Sequence, residues 1–162
     1  SNSIRSKHGA QPALRSMKNA LERRRKSVVK LNIPGTPQGK ARPRFSRTGH
    51  AYTPDETRRY EARVAVLGKY AMCNRDIMRG AVKISILAAF PVPASYSQKR
   101  RAACLQGCER PAKKPDMDNI IKIICDGLNG IAWKDDAQVV EVSAAKTYAE
   151  FPSVTVYIEE LS

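Results

Sequence analysis

Between Lys113 and Gln138 the chain reads KKPDMDNIIKIICDGLNGIAWKDDAQ, and no other stretch restricts the fold as tightly. Ile120, Ile121, Ile123, Ile124 and Leu128 recur at helical spacing and cover so much of the helix surface that most of it has to be buried. The polar residues are confined to the remaining side, where Asp118, Lys122 and Asp126 follow one another at i, i+4 and share a face. Pro115 pushes Lys114 toward an extended conformation. The helix therefore starts at Asp116, a good N-cap residue type, with Asp118 in the first turn. Gly127 and Gly130 loosen the far end, and Trp133-Lys134-Asp135-Asp136 reads as a turn into the next strand. Such a turn can fold back beside the helix start and add Asp136 to Asp116 and Asp118.

The rest of the chain supplies the layer that covers this helix. Val28 to Ile33 is strand-like and ends at Pro34-Gly35. Thr36 to Thr53 is rich in Gly, Pro and Arg and reads as a loop. Pro54-Asp55-Glu56 opens a helix in which Tyr60, Val64, Leu67 and Ala71 recur through to about Cys73. Ala81 to Phe90 is a strand with Val82, Ile84, Ile86 and Ala88 on one face. Ser95 to Leu105 is a short basic helix capped by Ser95 or Ser97. Val139 to Tyr148 and Ser153 to Glu159 are two further strands, expected as an antiparallel pair joined near Glu150-Phe151-Pro152. The order predicts an α+β fold, a two-layer domain in which a small mixed β-sheet carries helices on one face. That domain spans residues 27–162. Residues 1–26, with eight Lys/Arg and the single acid Glu22, form a basic N-terminal arm, either helical from Pro12 to Arg25 or flexible.

With 29 Lys/Arg against 15 Asp/Glu, the 162 residues carry a formal net charge of +14. A chain so basic attracts polyanions. No apolar run is long enough to span a bilayer. The N-terminus is basic but has no hydrophobic core of a secretory signal, so a cytoplasmic protein with reduced thiols is expected. Ser1-Asn2 is set aside as an expression remnant. Cys104-x-x-x-Cys108 has borderline zinc spacing, but no second pair or nearby histidine completes it.

Against that background the clustered Asp116, Asp118, Asp126, Asp135 and Asp136 need a reason, since carboxylates repel one another and phosphate. A divalent metal supplies one. Mg²⁺ selects hard oxygen ligands and can be held against a phosphodiester that the cations have drawn in, which is the chemistry of a metal-dependent nuclease. Each carboxylate also has a plain reading: Asp116 as an N-cap, Asp118–Lys122–Asp126 as a solvated ladder, Asp135-Asp136 as a turn. The cations expected on DNA are Lys40, Arg42, Arg44 and Arg47 in the loop, Lys99, Arg100 and Arg101 in the short helix, and Lys113 and Lys114. Phe45 and Tyr52 are interleaved with the loop cations.

The pattern PDMDNIIKIICDGLNGIAWKDDAQVVEVSAAKTY resembles the signature of the RusA-type Holliday junction resolvases, small endodeoxyribonucleases often encoded by prophages. Its parts are an Asp-x-Asp-Asn opening, a lysine three residues after the Asn, an Asp-x-Leu, an Asp-Asp-x-Gln turn and a later Lys-x-Tyr strand. PGTPQGKARPRF is similar to the family's first strand and loop, so the resemblance covers about residues 28–160. It implies a RusA-like fold and a homodimeric, Mg²⁺-dependent enzyme, with Mn²⁺ able to substitute. Such an enzyme resolves four-way DNA junctions, or other branched DNA, by paired nicks during recombination and repair. Carried over by position, it makes Asp116, Asp118 and Asp136 the catalytic aspartates and metal ligands, and Lys122 the functional lysine. Asn119, Asp126 and Asp135 fall at supporting positions. The contrasting reading is a non-catalytic nucleic-acid-binding phage or prophage regulatory protein, which the charge and the aromatic-basic loop would serve without the three aspartates.

Overall fold

The computed structural model describes residues 11–161. In chain order the elements are α1 (Gln11–Ser27), β1 (Val28–Pro34), a two-strand hairpin β2 (Arg44–Phe45) and β3 (Ala51–Tyr52), and α2 (Asp55–Met72). They continue with β4 (Val82–Pro91), α3 (Gln98–Leu105), α4 (Met117–Leu128), a 3-10 turn (Asp136–Gln138), β5 (Val139–Ala149) and β6 (Ser153–Glu160). The basic arm expected at 1–26 lies partly outside the described residues; its later part is α1, where Leu14, Met17 and Leu21 are exposed. The loop expected at Thr36–Thr53 contains the hairpin, which its Arg-rich composition did not announce.

Four strands form one mixed sheet in the order β1-β6-β4-β5, with β4 parallel to β5 and antiparallel to β6. This corrects one expectation. β5 and β6 follow one another in the chain but do not pair, because β4 lies between them. The link Glu150–Pro152 passes the end of β4, and three residues at up to ~3.5 Å each can cross two strand spacings of ~4.8 Å. Burial explains the order. In β4, Val82, Ile84, Ile86, Ala88, Ala89 and Phe90 are buried, whereas most of β5 is exposed or half-buried. The more apolar strand takes the interior position and β5 the edge.

One sheet face carries Val29, Leu31 and Ile33, then Val154, Val156 and Ile158, then Val82, Ile84 and Ile86, all buried. Tyr60 and Val64 of α2 and Ile120, Ile123, Ile124 and Leu128 of α4 complete the same core. Complete burial of each such aliphatic side chain is worth about 1.5–3 kcal/mol relative to exposure. Two glycines let the helices come close. A Cβ on Gly127 would lie 2.7 Å from Val64 Cβ, and one on Gly68 would lie 2.6 Å from Leu128 Cδ2. This close crossing sets Glu61, beside the contact on α2, near Asp126, beside it on α4.

Candidate active site

The exposed side of α4 begins beneath the Pro37–Lys40 loop. Lys40 N–H donates to Asn119 O at 2.8 Å. A Cβ on Gly39 would stand 2.8 Å from Pro115 Cβ and 3.0 Å from Asn119 Cβ, so only glycine lets the loop lie this close. An open cleft of about 480 Å³ is lined by Pro37–Lys40, Glu56, Lys114–Asp116 and Asn119. Asp116 occupies the N-cap position, as its sequence context predicts, but its side chain makes no capping hydrogen bond. Instead it pairs with Lys114 Nζ at 2.9 Å on the surface. Asp118 is exposed in the first turn.

Asp136 comes from a turn built with far more hydrogen bonds. Asp135 caps it by accepting from Ala137 N–H at 2.8 Å, and Gln138 closes a reciprocal capping box. Gln138 Oε1 accepts from the N–H groups of Lys134 and Asp135, while its Nε2 donates to the carbonyls of Met78 and Gly80. The indole Nε1–H of fully buried Trp133 donates to Asp136 Oδ1 at 2.8 Å. In the Asp-Asp-x-Gln turn, Asp135 and Gln138 therefore shape the backbone and Asp136 is the oriented carboxylate. Its field reaches α4. Burial pushes the Cys125 thiol up to about 11, with Asp136 and Asp126 adding to the shift and Lys122 opposing it. Asp136 also helps raise Lys122.

The predicted Asp118–Lys122–Asp126 ladder is realised on its C-terminal side, where Lys122 Nζ pairs with Asp126 Oδ1 at 2.8 Å. Asp126 Oδ2 is 3.0 Å from Lys40 Nζ, and Lys40 also pairs with Glu61. Lys40, Glu61 and Asp126 are all partly buried, whereas Lys122 is exposed. Burial lowers Lys40, but hydrogen bonds with Glu61 and Asp126 outweigh it and the ammonium is held above its ordinary value. For Asp126, burial raises the carboxyl, but Lys122 and Lys40 together hold it below the ordinary carboxylate range. Lys40 is thus partly buried in two ion pairs, unlike the exposed arginines of its loop.

Of the other expected DNA contacts, Arg42, Arg44 and Arg47 are exposed on and beside the small hairpin, with Phe45 and Tyr52 exposed among them. Arg100 is committed elsewhere: its guanidinium stacks on Tyr96 at 3.6 Å and binds Glu109 through Nε and Nη2. Lys99 and Lys113 are exposed and Arg101 is half-buried. Asp136 acts electrostatically on Lys122 and Cys125 of α4. The structure does not gather Asp116, Asp118 and Asp136 into one set, and no three Asp, Glu, His or Cys side chains among the described residues stand ready to hold a metal. The four cysteines are free.

Trp133, Gln138 and Glu61 were not singled out from the sequence. Gln138 lay in the motif, and Trp133 is the chain's one tryptophan. Glu61 had a positional signal: it falls at helical spacing among buried Thr57, Tyr60, Val64 and Gly68, where an acid calls for a partner.

Two comparisons bear on this arrangement. The family model described as Endodeoxyribonuclease RusA matches residues 34–159. Uncharacterized protein YqaN of Bacillus subtilis (strain 168) is 34% identical over 139 residues, covering 83% of this chain and 97% of that protein. No described helix is long and apolar enough to cross a membrane.

Proposed function

The chain belongs to the RusA endodeoxyribonuclease family, and on that premise we propose that it is a Mg²⁺-dependent resolvase that nicks four-way DNA junctions in recombination and repair. The observation that carries this reading is the match to the RusA family model over residues 34–159, within which the Trp133 indole orients the motif carboxylate Asp136. Asp116, Asp118 and Asp136 would hold the metal through hard carboxylate oxygens, the donor type that Mg²⁺ selects, with Mn²⁺ as a substitute, the bound ion drawing together three side chains that the fold leaves apart. When bound, the metal supplies Lewis-acid stabilisation and a water of lowered pKa.

The chain's own residues do the remaining work. Arg42, Arg44 and Arg47, with Lys99, Lys113 and Lys114, meet backbone phosphates, and counterion release supplies sequence-independent affinity. Lys122, kept as an ammonium by its hydrogen bond to Asp126, places positive charge where negative charge develops on the scissile phosphate. Trp133 orients Asp136. The basic arm 1–26 adds non-specific DNA affinity to the domain at 27–162. A homodimer, acting in the cytoplasm, would present two identical sites to the two-fold symmetric junction and so make paired nicks.

Incubation with a synthetic four-way junction, with and without Mg²⁺, tests the reading. Symmetric nicks in the metal-containing arm are expected. Tight junction binding with no cleavage in Mg²⁺ or Mn²⁺ would favour the non-catalytic alternative, and equal nicking of unbranched duplex would remove the junction assignment.

A further inference from the structure

We propose that Lys40 is a positioning residue for Lys122, acting through Asp126, and not one of the phosphate-binding cations of its loop. The inference rests on the reading of Lys122 as the group that meets the scissile phosphate. Four side chains from three elements form a chain of alternating charge: Glu61 of α2, Lys40 of the loop and Asp126 of α4, all partly buried, and then the exposed Lys122 of α4. Each oxygen of Asp126 has its own ammonium, Oδ2 toward Lys40 at 3.0 Å and Oδ1 toward Lys122 at 2.8 Å. This division fixes the Asp126 rotamer and leaves Lys122 a single anchoring oxygen, so that the rest of its ammonium faces outward. Without Lys40, Asp126 would be a partly buried carboxylate with one counter-ion, and Lys122 would be drawn inward onto both oxygens. Lys40 is held by its backbone as well, through the Asn119 carbonyl and the glycine-only contact of Gly39 with Pro115. The loop that bears the exposed arginines is thereby tied to the helix that bears Lys122. Electrostatics agree with the geometry, since Asp126 raises Lys122 and Lys40 acts on it in the opposite sense.

The test uses full-length Lys40→Met, Lys40→Arg and Asp126→Asn, with three readouts: single-turnover cleavage of a four-way junction at saturating enzyme, the salt dependence of junction binding, and the rate at which an N-hydroxysuccinimide ester labels Lys122 without DNA, followed by mass spectrometry. Lys40→Met should lower the saturated rate about tenfold or more, as removal of an orienting partner commonly does, with affinity and salt slope unchanged. Lys40→Arg should restore most of that rate, because a guanidinium can bridge Glu61 and Asp126. Labelling of Lys122 should slow in Lys40→Met and quicken in Asp126→Asn. The opposite pattern, an intact saturated rate with the salt slope reduced by about 0.9, would make Lys40 a phosphate contact and overturn the proposal. Unchanged Lys122 labelling in both variants would overturn it as well. If Lys40→Met fails to fold by thermal melting, Lys40→Arg and Asp126→Asn carry the same readouts. Absence of cleavage by the wild-type protein would remove the resolvase reading alone, since the labelling experiment still decides whether Lys40 positions Lys122.

Discussion

The turn at 133–138 and the start of α4 carry the motif carboxylates, yet they are held in opposite ways. In the turn, Asp135 and Gln138 meet five backbone groups between them, and a fully buried tryptophan holds Asp136. At the helix start, Asp116 leaves the N-cap unmade for a surface pair with Lys114, and Asp118 is exposed. One carboxylate is set in place by folding; the other two are not, and in the proposed site a bound cation would fix their rotamers. In the proposed site, rigidity on one side limits the ordering cost of binding to the other.

The hardest blow to that picture is removal of the charge on either side. Asp116→Asn, Asp118→Asn and Asp136→Asn should each lower junction cleavage by about 10²–10³ or more, and combining any two should lower it little further because the residues act as a unit. Junction binding should persist or tighten, since negative charge facing a polyanion is lost. Single-turnover cleavage alongside a gel-shift titration separates the two effects. Full activity in any of the three would remove that residue from the site.

Trp133→Phe asks whether the turn's rigidity matters. The substitution keeps most of the buried ring volume and deletes the donor to Asp136 Oδ1. A loss of orientation of this kind commonly costs about 10–100-fold in metal affinity or activity. The Mg²⁺ concentration needed for half-maximal cleavage should rise. If only the melting temperature changes, Trp133 is a core residue and the contrast between the two sides loses its functional meaning.

Gln138→Ala makes the complementary cut. It strands the Lys134 and Asp135 N–H groups and the carbonyls of Met78 and Gly80, of which the Met78 contact alone is partly shielded from water. Buried groups left without partners cost about 1–3 kcal/mol, which lowers the melting temperature by several degrees in a domain of this size. Calorimetry should show that loss together with a reduced cleavage rate. An unchanged melting temperature would mean that the turn is held by Trp133 and the Asp135 cap alone.

How much of this was legible in the sequence depends on how local each feature is. The buried face of α4 follows from isoleucine spacing, and Asp116 falls at the N-cap because Pro115 and the apolar pattern set the boundary. Strand pairing is different. β5 and β6 are adjacent in sequence, and only the pairing of β4 along both its edges in the assembled sheet decides that they do not touch. Composition marks Lys40 as one more cation in a basic loop; its partners Glu61 and Asp126 lie on two helices whose close crossing depends on Gly68 and Gly127. The sequence likewise groups Asp135 with Asp136, and hydrogen-bond geometry separates the capping residue from the oriented one.

The smallest expected effect lies at Lys114. Its pair with Asp116 is an exposed contact across the N-cap, with 86% of the Lys114 side chain accessible. Surface pairs of this kind add little to folding, so Lys114→Met should leave the melting temperature unchanged. If Lys114 meets one phosphate in the complex, the slope of log K against log salt should flatten by about 0.9. At saturating enzyme the rate should hold, because Asp116 loses only a surface partner and keeps its charge. Filter binding across a salt series, followed by single-turnover cleavage at the lowest salt, measures both. A collapse of the saturated rate would mean that Lys114 orients Asp116 much as Trp133 orients Asp136, and the two sides of the site would then be built alike.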